Sequence, residues 1–302
     1  MRTAEITLDS VRPLMPTRPA EGHKGTFGHV FVVAGSRGFT GAPKLCALGA
    51  ARSGAGLVTV GVPSNVMDCV SAGLLEAMSL ALPCTEAGTL SPEAVSPATA
   101  FATDRKAVVL GPGLSQHPET QEFARKFASV LRSLNIPLVL DADGLNNVAG
   151  PKLRTALGAL PGDSAPLILT PHPGEMARLL NCTVTQVQSN RVKSTRKLAG
   201  TLQCVVALKG KGTVVAGPDG QTAINTTGNS GMGTGGSGDV LAGLLGGLLA
   251  QGMAAYPAAL LGVYLHGLAG DWAAREKTER GMIAGDIAEA IPAAWRVLEG
   301  TT

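Results

Sequence analysis

The sequence is poor in aromatic residues, in cysteine and in clustered charge. Phe, Tyr and Trp together make up 3% of 302 residues. A core must therefore be assembled from Ala, Val and Leu, and the composition offers no obvious aromatic interface patch. No block of five like charges occurs and the formal net charge is only +3, a balance that argues against a nucleic-acid-binding or membrane-surface protein. The five cysteines (Cys46, Cys69, Cys84, Cys182 and Cys204) are scattered, odd in number and form no CxxC pair. Neither a disulfide framework nor a zinc site is expected, and a reducing cytoplasm fits. The N-terminus MRTAEITLDSVRPLMPTR lacks an uninterrupted apolar core and so does not read as a signal peptide. Between Asp239 and Asp271 no acidic or basic residue occurs apart from the usually neutral His266. Gln251, Gly252, Tyr256 and Pro257 divide that stretch into pieces too short to span a bilayer comfortably, so two buried helices are expected. With no Pro- or Ser-rich linker, low-complexity tract or internal repeat, residues 1–302 are read as one domain.

Glycine is what the chain has in quantity, with 40 residues. Six fall in GNSGMGTGGSGD, from Gly228 to Asp239, directly before the apolar helical segment VLAGLLGGLLAQG. Glycine lets the backbone turn its N–H groups inward, and a helix N-terminus adds roughly half a positive charge at the same point. Together they predict an anion hole. A carboxylate at its mouth would repel phosphate, unless it is there to take a proton from a nucleophile attacking that phosphate. The loop therefore points to phosphoryl transfer with Asp239 as general base. The same glycines satisfy GxGxxG, but no Asp or Glu lies between Val240 and Gly270, and the motif sits far from any first strand. A dinucleotide fingerprint is rejected on that context. Walker A is absent.

Elsewhere strands and helices alternate, predicting a mostly parallel sheet covered by helices. HVFVVAGS, GLVTVGVP, AMSLAL, KAVVLGPGL, PLVLDADGL and PLILTPHPGE read as strands, several ending in small or polar clusters where an open α/β sheet binds ligands. Helices are expected over Thr120–Leu134 and Gln186–Leu202. CVVALKGKGTVVAGPDGQTAIN reads as an antiparallel meander closing one edge of the sheet. From Asp239 onward the chain is helical.

Five strand-end motifs could carry chemistry. In Thr170–Glu175, two prolines fix the backbone around His172 and Glu175. Glu175 could hold a metal or its water near phosphate, or simply favour the helix dipole; both readings stand. In Lys209–Thr213 one or both lysines could neutralise phosphate, or the segment could be a hairpin turn with exposed lysines. Asp141 and Asp143 would share a face if their strand persists; otherwise they could cap the following helix. Gly35–Ala42 and Gly111–Leu114 are turns where backbone can approach a ligand.

KGTFGHVFVVAGSRGFTGAP, ARSGAGLVTV, VLGPGL, LDADGLN, LTPHPGE, ALKGKGT and GMGTGGSGDVLAG occur in this order over nearly the whole chain. Together they resemble the ADP/ATP-dependent NAD(P)H-hydrate dehydratases, a branch of the ribokinase-like superfamily. The resemblance implies a three-layer α/β fold with a mostly parallel central sheet, and a dehydratase module with no epimerase domain. It implies repair of NADH or NADPH carrying water across the nicotinamide C5–C6 bond. ADP or ATP phosphorylates the 6-hydroxyl of the S-epimer, and phosphate then leaves. Asp239 would deprotonate that hydroxyl, while the Gly236, Ser237 and Gly238 N–H groups stabilise the transferring phosphoryl. By the same resemblance Ala42, Gly113, His172 and Asp239 would line the hydrated dinucleotide. Lys209, Gly210, Lys211, Gly212, Thr213 and Gly238 would hold the adenine nucleotide. His172 stands where the superfamily's Asn-x-x-Glu metal–phosphate motif has asparagine, which favours a substrate contact. Mg²⁺, a cytoplasmic location and a homotetramer are implied too. A vitamin-precursor kinase of the same superfamily is the alternative.

Overall fold

Alternation along each strand decides which layer its side chains meet. The described residues of the computed structural model are 3–151, 153–157 and 165–301. Their strands are β1 (Ala4–Ile6), β2 (His29–Val33), β3 (Leu57–Pro63), β4 (Met78–Leu82), β5 (Ala107–Leu110), β6 (Leu138–Leu140), β7 (Leu167–Leu169), β8 (Val205–Leu208), β9 (Val214–Ala216) and β10 (Thr222–Asn225). They form one sheet in the order β1-β10-β9-β8-β7-β6-β5-β2-β3-β4. Only β9 runs against its neighbours; the other pairings are parallel. The expected strands and the mostly parallel sheet are therefore present.

The two faces differ in side-chain size. Val30, Val32, Ala107, Val109, Val139, Ala207 and Val215 face one helical layer. Phe31, Leu110, Leu138, Leu140, Leu167, Leu169 and Leu208 face the other. The small face receives the helices Gly41–Arg52, Ser237–Ala250, Ala255–Gly281 and Ala284–Glu299. Small side chains there let Ser237–Ala250 press close. A Cβ on Gly246 would lie 2.3 Å from Val109 Cγ2, and one on Gly243 would lie 1.8 Å from the Cys46 carbonyl oxygen. The latter contact joins two helices backbone to backbone, which fixes their starts relative to each other. The large face is covered by Val95–Ala102, Pro118–Ser133, Pro173–Leu180 and Arg191–Leu202, among others.

Three expectations need correcting or completing. The meander is real, but it does not close the sheet, because β1 pairs parallel outside β10 with Ile6 opposite Asn225. Three residues carry too little periodicity to be read as a strand in the sequence. The helix expected over Gln186–Leu202 is two, Val184–Ser189 and Arg191–Leu202. Asn190 breaks it with non-helical backbone and accepts from the Lys193 N–H to cap the second piece. Finally, the long uncharged stretch is split at residues 251–254 into two largely buried helices. Among the described residues no helix is long and apolar enough to cross a membrane.

Candidate active site

The chain reverses its direction of travel across the sheet between β2 and β5, which lie side by side while their successors run outward in opposite directions. Open parallel sheets bind ligands in the crevice at the carboxyl ends of such strands. Here the loops after β2 and β5 are laced together. The Gly35 N–H donates to the Pro112 carbonyl (2.8 Å), and Ser36 Oγ donates to the Gly113 carbonyl (2.8 Å). Gly113 lies so near Ala42 that an added Cβ would stand 3.0 Å from Ala42 Cβ. The two residues expected at one ligand do meet.

The next loops along the same edge bring charge. The strand of Asp141 ends at Leu140, and Ala142 turns the chain with φ 49°. The condition for Asp141 and Asp143 to share a face therefore fails, and the two carboxylates take separate tasks. Asp143 accepts from the Ser115 N–H (2.9 Å), Gln116 Nε2 (3.1 Å) and Asn146 Nδ2 (3.1 Å), tying down the loop that carries Gly113. Asp141, 1% exposed, accepts through Oδ1 from Thr170 Oγ1 (2.8 Å) and from Lys209 Nζ (2.5 Å). Its Oδ2 is buried with no hydrogen-bond partner among the described residues.

The Thr170–Glu175 turn forms a capping box. His172 Nδ1 accepts from the Gly174 N–H (2.9 Å) and, at longer range, the Glu175 N–H (3.4 Å). An accepting Nδ1 leaves the proton on Nε2, which lies 3.4 Å from Glu175 Oε1. Burial, with the Lys209 and Arg178 charges, lowers the His172 pKa, so the imidazole is neutral and a donor. Glu175 Oε2 accepts from the His172 N–H (2.7 Å) and lies 4.0 Å from Lys209 Nζ. Burial and the Asp141 charge push the Glu175 pKa up to about 7 against the pull of Lys209. The capping reading of the turn is realised, and Glu175 also sits among the charged groups of the site.

In Lys209–Thr213 the two lysines part company. The segment is the β8–β9 hairpin turn, with Lys211 exposed. Lys209 turns inward, where burial opposes its charge but the carboxylates of Asp141 and Glu175 outweigh it and hold its pKa up. Arg191, which the sequence reading did not single out, pins this hairpin. Its guanidinium donates to the Leu208 (2.9 Å), Lys209 (3.2 Å) and Gly212 (3.4 Å) carbonyls. An isolated Arg at a helix start carries no motif by which to find it.

Between crevice and lysine lies the glycine run. Gly236 has φ 91° and N-caps the helix Ser237–Ala250 without a side-chain bond. The N–H groups of Gly236, Gly238 and Asp239 find no acceptor among the described residues, whereas that of Ser237, also expected in the anion hole, donates to the Thr234 carbonyl (3.4 Å) as the chain enters the helix. A Cβ on Gly236 would lie 2.4 Å from Leu45 Cδ1, and one on Gly238 would lie 3.2 Å from Lys209 Nζ. This helix start therefore abuts both the helix bearing Ala42 and the inward lysine. Asp239, in its first turn, is half-buried. Burial first, then the Asp141 charge, pushes its pKa up to about 7 despite Lys209. The arrangement supplies unsatisfied N–H donors, one ammonium and a carboxyl that exchanges its proton near neutrality. These are the parts of a site that moves a phosphoryl group onto a hydroxyl.

Among the described residues no group of three or more His, Cys, Asp or Glu is arranged to hold a metal by itself. Magnesium, however, is commonly held by one or two carboxylates together with substrate phosphates. The orphaned Asp141 Oδ2, with Glu175 nearby, fits that mode.

The NAD(P)H-hydrate dehydratase family model matches residues 30–293. The chain is 46% identical, over 97% of its length, to the bifunctional NAD(P)H-hydrate repair enzyme of Moorella thermoacetica, of which it covers 54%. It is 34% identical to the ADP-dependent (S)-NAD(P)H-hydrate dehydratase of Bacillus subtilis, covering 97% of this chain and 98% of that protein. A solved B. subtilis ADP/ATP-dependent NAD(P)H-hydrate dehydratase, co-crystallised with ATP/Mg²⁺, superposes with a TM-score of 0.81 at 32% identity, covering 99% of both chains. The chain thus spans about half the length of the bifunctional relatives it matches. The fold is ribokinase-like.

Proposed function

The chain belongs to the NAD(P)H-hydrate dehydratase family, and from that premise we propose that it uses ADP or ATP to dehydrate the S-epimer of hydrated NADH or NADPH, as a single catalytic domain. The observation that carries the reading is Asp239: a carboxyl with pKa about 7 in the first turn of a helix whose Gly236, Gly238 and Asp239 N–H groups are unsatisfied. Ala42, Gly113 and His172 line the hydrated nicotinamide. Lys209 and the Gly210–Thr213 turn hold the nucleotide phosphates.

Asp239, ionised, takes the proton of the 6-hydroxyl as its oxygen attacks the terminal phosphorus. The phosphorus–oxygen bond to the nucleotide breaks, and the N–H donors of Gly236, Gly238 and Asp239 receive the charge spread over the transferring oxygens. Hydroxide, a poor leaving group, has then become phosphate. The carbon–oxygen bond at C6 breaks as the ring nitrogen donates its lone pair, and loss of a proton from C5 restores the C5–C6 double bond. His172, neutral and protonated on Nε2, can donate to the substrate but does not compete for its proton. Asp141 and Glu175 would hold Mg²⁺ jointly with the phosphates, where the ion would neutralise developing charge.

The test is hydrated NADH mixed with ADP or ATP and Mg²⁺. Recovery of the dihydronicotinamide's near-ultraviolet absorbance, with one phosphate released per turnover, is the expected result. A stable phosphorylated alcohol, or nucleotide binding with no turnover, would overturn the reading in favour of a kinase or a nucleotide sensor respectively.

A further inference from the structure

His266 is a buried ionisable residue that the chemistry above does not use. It stands near the middle of the helix Ala255–Gly281, in the half that precedes its first charged residue, Asp271, and is 7% exposed. Its Nε2 lies 2.9 Å from the Ser237 carbonyl oxygen. A carbonyl only accepts, so Nε2 carries the proton. Burial lowers the His266 pKa to about 4, and the Lys209 charge adds to that shift, so the ring is a neutral donor throughout the physiological range.

The carbonyl it holds is a consequential one. Ser237 C=O and Gly238 N–H belong to the same planar peptide, and the Gly238 N–H is one of the unsatisfied donors at the helix start. A hydrogen bond that fixes the carbonyl fixes the direction of the N–H at the other end of that plane. It also polarises the peptide, making the N–H a stronger donor. We propose that His266 is a positioning residue: it aims and strengthens the Gly238 N–H in the phosphate cradle and seats Asp239, the next residue, beside it.

The rest of the same helix supports this role. Its backbone and carboxylates hold the approach to the glycine run and the run's first three residues. Asn225 Nδ2 donates to the Val263 carbonyl (3.0 Å) and Thr227 Oγ1 to the Tyr264 carbonyl (3.0 Å). The Gly228 N–H and Asn229 Nδ2 reach Asp271 (2.9 and 3.0 Å), and Ser230 Oγ bonds to Glu279. In this series His266 is the bond that acts on the cradle itself. A glycine-rich turn has little stiffness of its own, so its donors need an external reference, and this helix provides it.

The inference rests on the proposed phosphoryl-transfer reading for its kinetic consequence, but not for its spectroscopic one. Glutamine at this position places an amide N–H where Nε2 stands; leucine keeps bulk without a donor. His266→Leu should lower kcat about 10- to 100-fold with little change in nucleotide KM, because the misdirected donor matters most in the transition state. His266→Gln should recover most of that loss at a similar melting temperature. In unliganded protein the Gly238 amide nitrogen resonance should move upfield in His266→Leu and return toward wild type in His266→Gln. The proposal is overturned if His266→Leu leaves the Gly238 resonance in place, or if both variants lose kcat equally in step with their melting temperatures. If wild-type protein shows no dehydration at all, the functional reading fails. The amide resonances of the three proteins then still decide the role of His266.

Discussion

Replacing Asp239 by asparagine should make the protein more stable while disabling it. Folding lifts this carboxyl from an ordinary value of 3.8 to about 7, chiefly by burial and by the neighbouring Asp141 charge. The native state therefore binds the proton more tightly than the unfolded chain does. The sign follows from linkage. Below about pH 4 the group is protonated in both states and costs nothing. As pH rises the unfolded chain releases its proton first, and native stability falls until the folded group ionises near pH 7. Above that the cost is complete. A displacement of this size corresponds to about 4 kcal/mol at most. Solvent at the mouth of the site screens part of it, leaving about 2 to 4 kcal/mol. For a chain of this length that is about 3 to 6 °C in melting temperature. Urea unfolding of both proteins at pH 8 and near pH 4 measures it directly. The Asp239→Asn variant should gain at pH 8 and converge with wild type in acid. A variant no more stable than wild type at pH 8, or a gain independent of pH, would refute the view that Asp239 is held at energetic expense.

With Asp239 as the base, kcat/KM should rise with pH through about 7, and Asp239→Asn should lower kcat by about 10²- to 10⁴-fold in the absorbance assay. Lys209→Met strands the buried Asp141 carboxylate and should cost about 3 to 5 kcal/mol in urea unfolding, whereas Lys211→Met, at an exposed turn position, should stay within about 0.5 kcal/mol. Asp143→Ala frees the Ser115 N–H and loosens the Gly113 loop, so the KM for the hydrated dinucleotide should increase about 10-fold while nucleotide KM is unchanged. Gly243→Ala drives a methyl into the Cys46 carbonyl and should destabilise by about 1 to 3 kcal/mol, read by thermal melting.

Long-period features of the sequence were legible because their physical cause is local. β2, β3, β4 and β5 are apolar runs ended by turn residues, and they fold as read. The glycine run also announced itself, since six glycines before an apolar helix have few other uses. What stayed hidden depended on partners far away in the chain. Nothing around Asp141 says that its carboxylate meets a lysine 68 residues later. Nothing around Asp143 reveals that a turn at Ala142 sends it to a different loop from its neighbour. Asn190 looked like a helix interior because the periodicity on both sides is helical, and only its capping bond to Lys193 marks the break. Arg191 and His266 are single residues without a pattern. His266 left one trace, as a lone ionisable residue within a long uncharged stretch; what it bonds could come only from the fold.

The pairing of Lys209 with Asp141 bears on why the cradle is made of peptide groups. Three carboxyls, Asp141, Glu175 and Asp239, surround one inward ammonium, and the pKa values of Glu175 and Asp239 are raised to about 7 as a result of burial and mutual repulsion. The Lys209 ammonium, 2.5 Å from Asp141, is partly offset by that carboxylate, so it does not supply the whole attraction for the phosphates it helps to hold. The rest has to come from donors that carry no counter-charge of their own, and a helix start is such a source. It places partial positive charge beside Asp239 without adding a formal cation that would pull the base far below neutrality. A second lysine in place of the Gly236 and Gly238 N–H groups would bind phosphate more tightly and leave Asp239 too weak a base for the hydroxyl. The glycine run thus separates two demands that a charged side chain would couple, anion binding and basicity, and it does so only while its peptide planes are held in the right direction.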